Sequence, residues 1–142
     1  MEKTRRAIEN EIIDEFDLLD DWMSKYDHII SLGKELPAMN PLWKISENEV
    51  AGCQSKVWLH AEAREGNVYY WADSDAIITK GMMALLLRVI QNRPAEEIAR
   101  EPFAFLDAIG LVHHLSPSRA NGLLSMVKQI KFYALAFSAK TK

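Results

Sequence analysis

One cysteine stands among 142 residues, in the segment Val50-Ala51-Gly52-Cys53-Gln54-Ser55-Lys56-Val57-Trp58. A thiol reacts as its thiolate, so the chemistry open to Cys53 is nucleophilic attack on an electrophilic sulfur or carbon. A lone thiol cannot close an intramolecular disulfide or form a Cys-x-x-Cys redox pair. Nor can it supply the several thiolates of an iron–sulfur cluster or a cysteine-rich zinc site. It can still carry one sulfur atom. The competing role is inert packing, since free cysteine is among the most buried residue types. The neighbours argue for a loop instead: Gly52 gives the backbone freedom a tight turn needs, and Gln54 and Ser55 are polar. Lys56 would favour a thiolate if it faced Cys53, and is otherwise a solvated surface residue.

Few other side chains are placed for chemistry. His113 and His114 are adjacent and so point in different directions, which suits a structural or surface role better than chelation of one metal. Arg119 falls in the first turn of the last helix read from the sequence, where a positive charge opposes the macrodipole and needs an anionic or carbonyl partner. Asp75 stands at the start of another helix, where a capping role is the ordinary expectation. A thiol hydrolase or transferase using Cys53 with His60, His113 or His114 as base stays open, as does an adaptor in which the thiol is incidental. The six glycines form no phosphate loop, and no Gly-x-Ser-x-Gly elbow occurs.

The elements that must position these residues follow from periodicity. Thr4 to about Phe16 reads as a charged amphipathic helix, and Asp20 or Asp21 caps a second one that ends before Pro37 with Trp22, Tyr26, Ile29 and Gly33 as a core stripe. Residues 37–55 have no sustained period and form a long irregular connection to Cys53. Residues 57–62 and 68–72 alternate as two strands, and Arg64-Glu65-Gly66-Asn67 between them predicts an antiparallel hairpin. Asp73-Ser74-Asp75 is expected to cap a buried central helix from Ala76 to Gln91. Two short helices, Pro94 to Ala99 and Pro102 to Ile109, precede a last helix capped by Ser116, with Leu123, Val127, Ile130 and Ala134 on its core face. The class is α+β: one helix-rich domain over residues 1–142 with a small antiparallel β-sheet flanked by helices.

Composition narrows the function. The net charge is −3, with six Lys/Arg and twelve Asp/Glu in residues 1–50 but five Lys/Arg and no carboxylate in residues 117–142. That basic end lacks the interleaved aromatic and glycine motifs of nucleic-acid binding and is read as a solvated face, with no nucleic-acid partner expected. The longest apolar run, Met82 to Leu87, is too short to cross a bilayer, and residues 1–6 lead into no signal-peptide core. No membrane partner is expected, and the expected compartment is cytoplasmic.

Four blocks in order resemble the SufE family of sulfur-acceptor proteins. They are Trp22 with Tyr26 and Leu32-Gly33; Val50 to Trp58; Asp73-Ser74-Asp75-Ala76 with Lys80-Gly81; and His114-Leu115-Ser116-Pro117-Ser118-Arg119 with Asn121-Gly122-Leu123. The resemblance implies a sheet-and-helix fold like that of iron–sulfur scaffold proteins. It also implies a role in which Cys53 accepts persulfide sulfur from a pyridoxal-phosphate cysteine desulfurase, stimulates that enzyme, and passes sulfur on for iron–sulfur cluster assembly. A parallel cysteine sulfinate desulfinase system feeding another pathway, such as tRNA modification, is the alternative it leaves open. The protein would be a carrier rather than an enzyme, with no cofactor or metal of its own. Its partners would be a desulfurase and a downstream iron–sulfur scaffold, with monomer and homodimer both open. Arg119 and Asp75 are expected to support the Cys53 loop, Arg119 through loop carbonyls or Asp75, with Gly52, Gln54 and His114 as further site residues.

Overall fold

The computed structural model describes residues 3–140. Its elements run α1 (Arg5–Asp17), α2 (Trp22–Lys34), β1 (Val57–Arg64), β2 (Asn67–Ser74), α3 (Ile77–Ile90), β3 (Arg93–Pro94), α4 (Ala95–Arg100), α5 (Phe105–Ala108) and α6 (Pro117–Lys140). Thr4 caps α1 by accepting a hydrogen bond from the Ala7 amide, and Asp21 caps α2 by accepting from Ser24. Each satisfies a donor that the first helical turn leaves without an intrahelical partner.

β1 and β2 pair antiparallel from Val57↔Ser74 to Arg64↔Asn67, closed by the turn at Glu65-Gly66. β3 adds two residues on the far side of β2, through Asn67↔Pro94 and Val68↔Arg93. This third strand is absent from the sequence reading, and Pro94 belongs to it rather than to a helix. Two residues carry no readable alternation, and the strand exists because the chain leaving α3 returns beside the hairpin.

The sheet is two-faced. Val57, Leu59, Val68, Tyr70 and Ala72 point into the core against α3 and α6, where Leu85, Leu86, Met126 and Ile130 are fully buried. The opposite face carries Trp58, His60 and Trp71, and Trp43 from the preceding connection stacks on His60 with ring centroids 3.9 Å apart. That connection is more ordered than its composition implies. It contains two 3₁₀ turns, Pro41–Trp43 and Ser46–Asn48, and an ion pair from Lys44 to Asp73 at 2.5 Å.

α3 is the central helix, with all residues from Gly81 to Leu87 buried. It meets α2 at a glycine contact: a Cβ on Gly81 would lie 2.2 Å from the Ile29 carbonyl oxygen, and one on Gly33 would lie 2.8 Å from the Gly81 amide nitrogen. Only two glycines allow the backbones to come this close. At the far end of α3, Arg88 holds Glu15 of α1 with its two terminal guanidinium nitrogens, and Glu15 also takes His28 of α2 at 3.1 Å. The short helices differ from expectation in extent. The second runs only from Phe105 to Ala108, because Phe103, Phe105 and Leu106 turn into the core.

Candidate functional site

Cys53 sits at the tip of a loop whose two ends are fastened. On the incoming side Glu49 bridges to Trp58, and the Val50 amide donates to the Val57 carbonyl at 2.8 Å, so residues 49–50 run beside the start of β1. On the outgoing side three hydrogen bonds hold Lys56. Asp75 Oδ1 accepts from its amide at 3.1 Å, and its carbonyl accepts from Ser74 Oγ at 2.8 Å and from the Asp75 amide at 3.2 Å. Asp75 is therefore not the helix cap expected of it. The N-cap position of α3 is Ala76, which makes no side-chain cap bond, and the carboxylate is spent on fixing the loop. Ser74 takes part of the capping role, accepting from the Ala76 amide at 3.2 Å.

Between these fastenings the chain turns at Gly52, whose φ of +88° lies in the left-handed region. A Cβ there would also lie 2.6 Å from Ser125 Oγ of α6. The turn aims Cys53 back into the molecule, and its S–H donates to the Gly122 carbonyl of α6 at 3.6 Å. Gly122 is buried, and a Cβ on it would touch Sγ at 3.5 Å. Glycine inside a helix costs about 1 kcal/mol relative to alanine. At this position it leaves free the space beside the thiol.

That space is a cavity of ≈ 80 Å³ lined by Cys53, with Ala76, Ile78 and Met82 on one side and Gly122 and Met126 on the other. Gln54, Ser55, Ser118 and Arg119 stand at its polar side. A cavity needs roughly 10–15 Å³ by such a measure to admit a water molecule, so there is room beside Sγ for a further atom the size of sulfur. Burial pushes the Cys53 thiol pKa above its ordinary value. The charged thiolate loses solvation in the cavity, and the Arg119 guanidinium at its polar side does not offset that loss. Iodoacetamide should accordingly alkylate Cys53 in the folded protein more slowly at neutral pH than in the urea-unfolded chain. The folded rate should climb with pH beyond the ordinary thiol range. Equal folded and unfolded rates at every pH would show that the thiol is not held in this cavity.

The other residues expected at the site are distributed unevenly. Arg119 lines the cavity, and its amide donates to Ser116 Oγ at 3.3 Å as the cap requires. Its exposed guanidinium makes no hydrogen bond or ion pair among the described residues, so the expected link to Asp75 or to loop carbonyls is not formed. His114 is not in the cavity wall. It stacks on Trp22 with centroids 3.9 Å apart and places Nδ1 2.9 Å from the Gly110 carbonyl, while its own carbonyl accepts from the Tyr26 hydroxyl. Trp22 and Tyr26, read as core residues, are half-buried and clamp the segment that leads into α6. His60 lies on the outer sheet face, bonded to Glu62 at 3.1 Å, and no histidine lines the cavity. A depression of ≈ 630 Å³ walled by Arg5, Glu9, Arg93 and Glu101 lies away from Cys53 and contains neither cysteine nor histidine. Among the described residues no group of three or more His, Cys, Asp or Glu could hold a metal ion. No helix among them is long and apolar enough to cross a membrane.

Ser74, Met82, Gly122 and Ser125 stand at the site although the sequence alone gives none of them a part there. Gly122 carries a usable signal, because glycine in mid-helix needs a close approach to explain it.

Comparison with known proteins decides the family. The SufE family model, described as the Fe-S metabolism associated domain, matches residues 10–134. The chain belongs to the SufE family. A SufE-like protein of Rhizobium meliloti is 42% identical over 127 residues, spanning 86% of this chain and 91% of its own. The sulfur acceptor protein CsdE of Escherichia coli is 38% identical over 114 residues, covering 79% of this chain and 78% of that protein. SufE-like protein 1 of Arabidopsis thaliana, chloroplastic/mitochondrial, is 41% identical over 92% of this chain, which matches 35% of the plant protein. The solution structure of a hypothetical protein from Thermus thermophilus shares the fold, with a TM-score of 0.77, 18% identity and coverage of 93% of this SufE chain and 96% of that one.

Proposed function

We propose that this SufE-family protein is a sulfur acceptor in iron–sulfur metabolism, and that Cys53 is the residue that takes the sulfur. The observation that carries the reading is the position of Cys53: a lone thiol on a loop fastened at both ends, turned into a small, partly apolar cavity with spare room beside Sγ. The name of the Escherichia coli relative supports the sulfur chemistry.

The donor is the persulfide of a pyridoxal-phosphate cysteine desulfurase. The Cys53 thiolate attacks the outer sulfur of the donor's S–SH group. A bond forms between Sγ and that sulfur, the donor's S–S bond breaks, and the donor cysteine leaves as a thiolate. No electrons are gained or lost overall, as in thiol–disulfide exchange. Removing the product persulfide drives further desulfurase turnover, and the sulfur passes on to a recipient in cluster assembly.

Each neighbour has a part in this scheme. Ala76, Ile78, Met82 and Met126 wall the loaded sulfur off from water-borne thiols, which would otherwise reduce it. Asp75 and Ser74 keep Lys56 fixed so that only the Gly52 to Ser55 tip needs to move. Burial disfavours the thiolate, so Cys53 reacts once the tip leaves the cavity, with Arg119 the cation available at its rim. A base-assisted thiol hydrolase gains no support from this geometry, because no histidine faces Cys53.

Desulfurase turnover tests the reading, measured as alanine formed from cysteine. Adding the protein should raise the rate to a plateau, and a desulfurase indifferent to it at saturating concentration would overturn the donor assignment.

A further inference from the structure

Helix α6 is apolar on two sides. Leu123, Met126, Ile130 and Ala134 are fully buried in the core, but on another face Leu124, Phe132 and Leu135 remain 55%, 63% and 61% exposed. At 3.6 residues per turn Leu124, Lys128, Phe132 and Leu135 fall within one sector of about 80°. A helix that only closed a core would be polar there. The stripe borders a groove of ≈ 420 Å³ lined by Phe132, Lys128 and Gln129 of α6 and by Val50, Ala51 and Gly52. Residues 50–52 are the limb of the loop that carries Cys53, so whatever fills the groove presses on the segment that must move.

Resting on the sulfur-acceptor reading, we infer that the Leu124–Phe132–Leu135 stripe and its groove are where the desulfurase docks, through an apolar side chain ringed by carboxylates. Charge selects this occupant. Lys128 lies within the stripe and Lys131 beside it, α6 carries no acidic residue, and neither lysine has an ion pair among the described residues. A second copy of this chain, pairing stripe to stripe, would set like charges against each other, whereas an acidic rim would be attracted. The continuity of the groove with residues 50–52 supplies the function: filling it engages Cys53's loop at the moment a donor persulfide arrives.

The test measures alanine formation by each pyridoxal-phosphate cysteine desulfurase of the host cell against the concentration of this protein. Phe132→Glu should raise the concentration for half-maximal stimulation at least about 10-fold, the size of a central anchor. Lys128→Glu should raise it about fivefold and flatten its salt dependence. Leu18→Glu, on the α1–α2 connection and 82% exposed, should leave it unchanged. The rate of Cys53 alkylation by iodoacetamide in the free protein should be the same in Phe132→Glu as in wild type, showing an undisturbed loop. If that rate changes, Leu135→Glu decides, being on the same stripe but outside the groove wall: a shift of at least about threefold supports the docking surface, and none overturns it. Wild-type stimulation by Phe132→Glu overturns the docking surface and leaves the sulfur-acceptor reading standing. A wild-type protein that stimulates no desulfurase overturns both.

Discussion

Cys53→Ser should fold as the wild type does and yet give no stimulation of the desulfurase. Serine has nearly the shape of cysteine, and its hydroxyl can donate to the Gly122 carbonyl that the thiol now contacts at 3.6 Å. The fastenings of the loop at Val50 and Lys56 use no atom of the Cys53 side chain. A change in stability of no more than about 1 kcal/mol is expected. An alcohol, however, forms no persulfide, so the chemical step is lost completely rather than slowed. Because the α6 stripe is untouched, the serine variant should still dock and compete with wild type, lowering stimulation as its proportion rises. Full stimulation by Cys53→Ser would mean that the protein acts as an adaptor and that its thiol is incidental.

Gly81→Ala should cause the largest loss of stability of any single methyl addition considered. The new Cβ would stand 2.2 Å from the Ile29 carbonyl oxygen and 2.7 Å from its carbon. Those are backbone atoms inside α2, so no rotamer change relieves the clash, and α2 must move away from α3. Overpacking against side chains that can adjust costs about 1–3 kcal/mol, and a backbone clash belongs at or above the top of that range. For a protein of this size, about 3 kcal/mol corresponds to a fall of roughly 10 °C in melting temperature. Urea unfolding should show a lower midpoint at unchanged slope, which separates lost stability from a changed denatured state. A midpoint equal to that of wild type would contradict the α2–α3 contact described above. The same variant bears on the site, because Ile78, Thr79 and Met82 at the front of α3 wall the Cys53 cavity.

Much of this architecture can be read from local pattern. The hairpin at Glu65-Gly66, the caps Asp21 and Ser116, and the burial of Met82 to Leu87 each follow from residues a few positions apart. Helix and strand periods and turn chemistry are local properties, so a single sequence carries them. The loop around Cys53 is legible for the same reason, since Gly52 marks the turn that its φ of +88° requires.

What escapes a local reading depends on partners far apart in the chain. Capping is the local use of a carboxylate at position 75, so local pattern assigns Asp75 to its own helix and only the family resemblance puts it at the loop, where it bonds to Lys56 nineteen residues earlier. His114 belongs near the site by its neighbourhood in the sequence, but stacking on Trp22, from the other end of the chain, holds it away from the cavity wall. Arg119 shows the converse. The helix dipole demands a partner for it, and solvent at an exposed position meets that demand without one. The contact between Cys53 and Gly122 spans 69 positions, and nothing near either residue announces the other.

If Cys53 holds the transferred sulfur, intact-mass analysis reads that sulfur on the protein itself. The protein is incubated with a cysteine desulfurase, pyridoxal phosphate and cysteine, separated without reductant, weighed, and then digested to locate any added mass. One added sulfur on the peptide containing Cys53, removed by dithiothreitol and absent from Cys53→Ser, is the expected result. A wild-type mass that stays unchanged while the desulfurase turns over would contradict the claim.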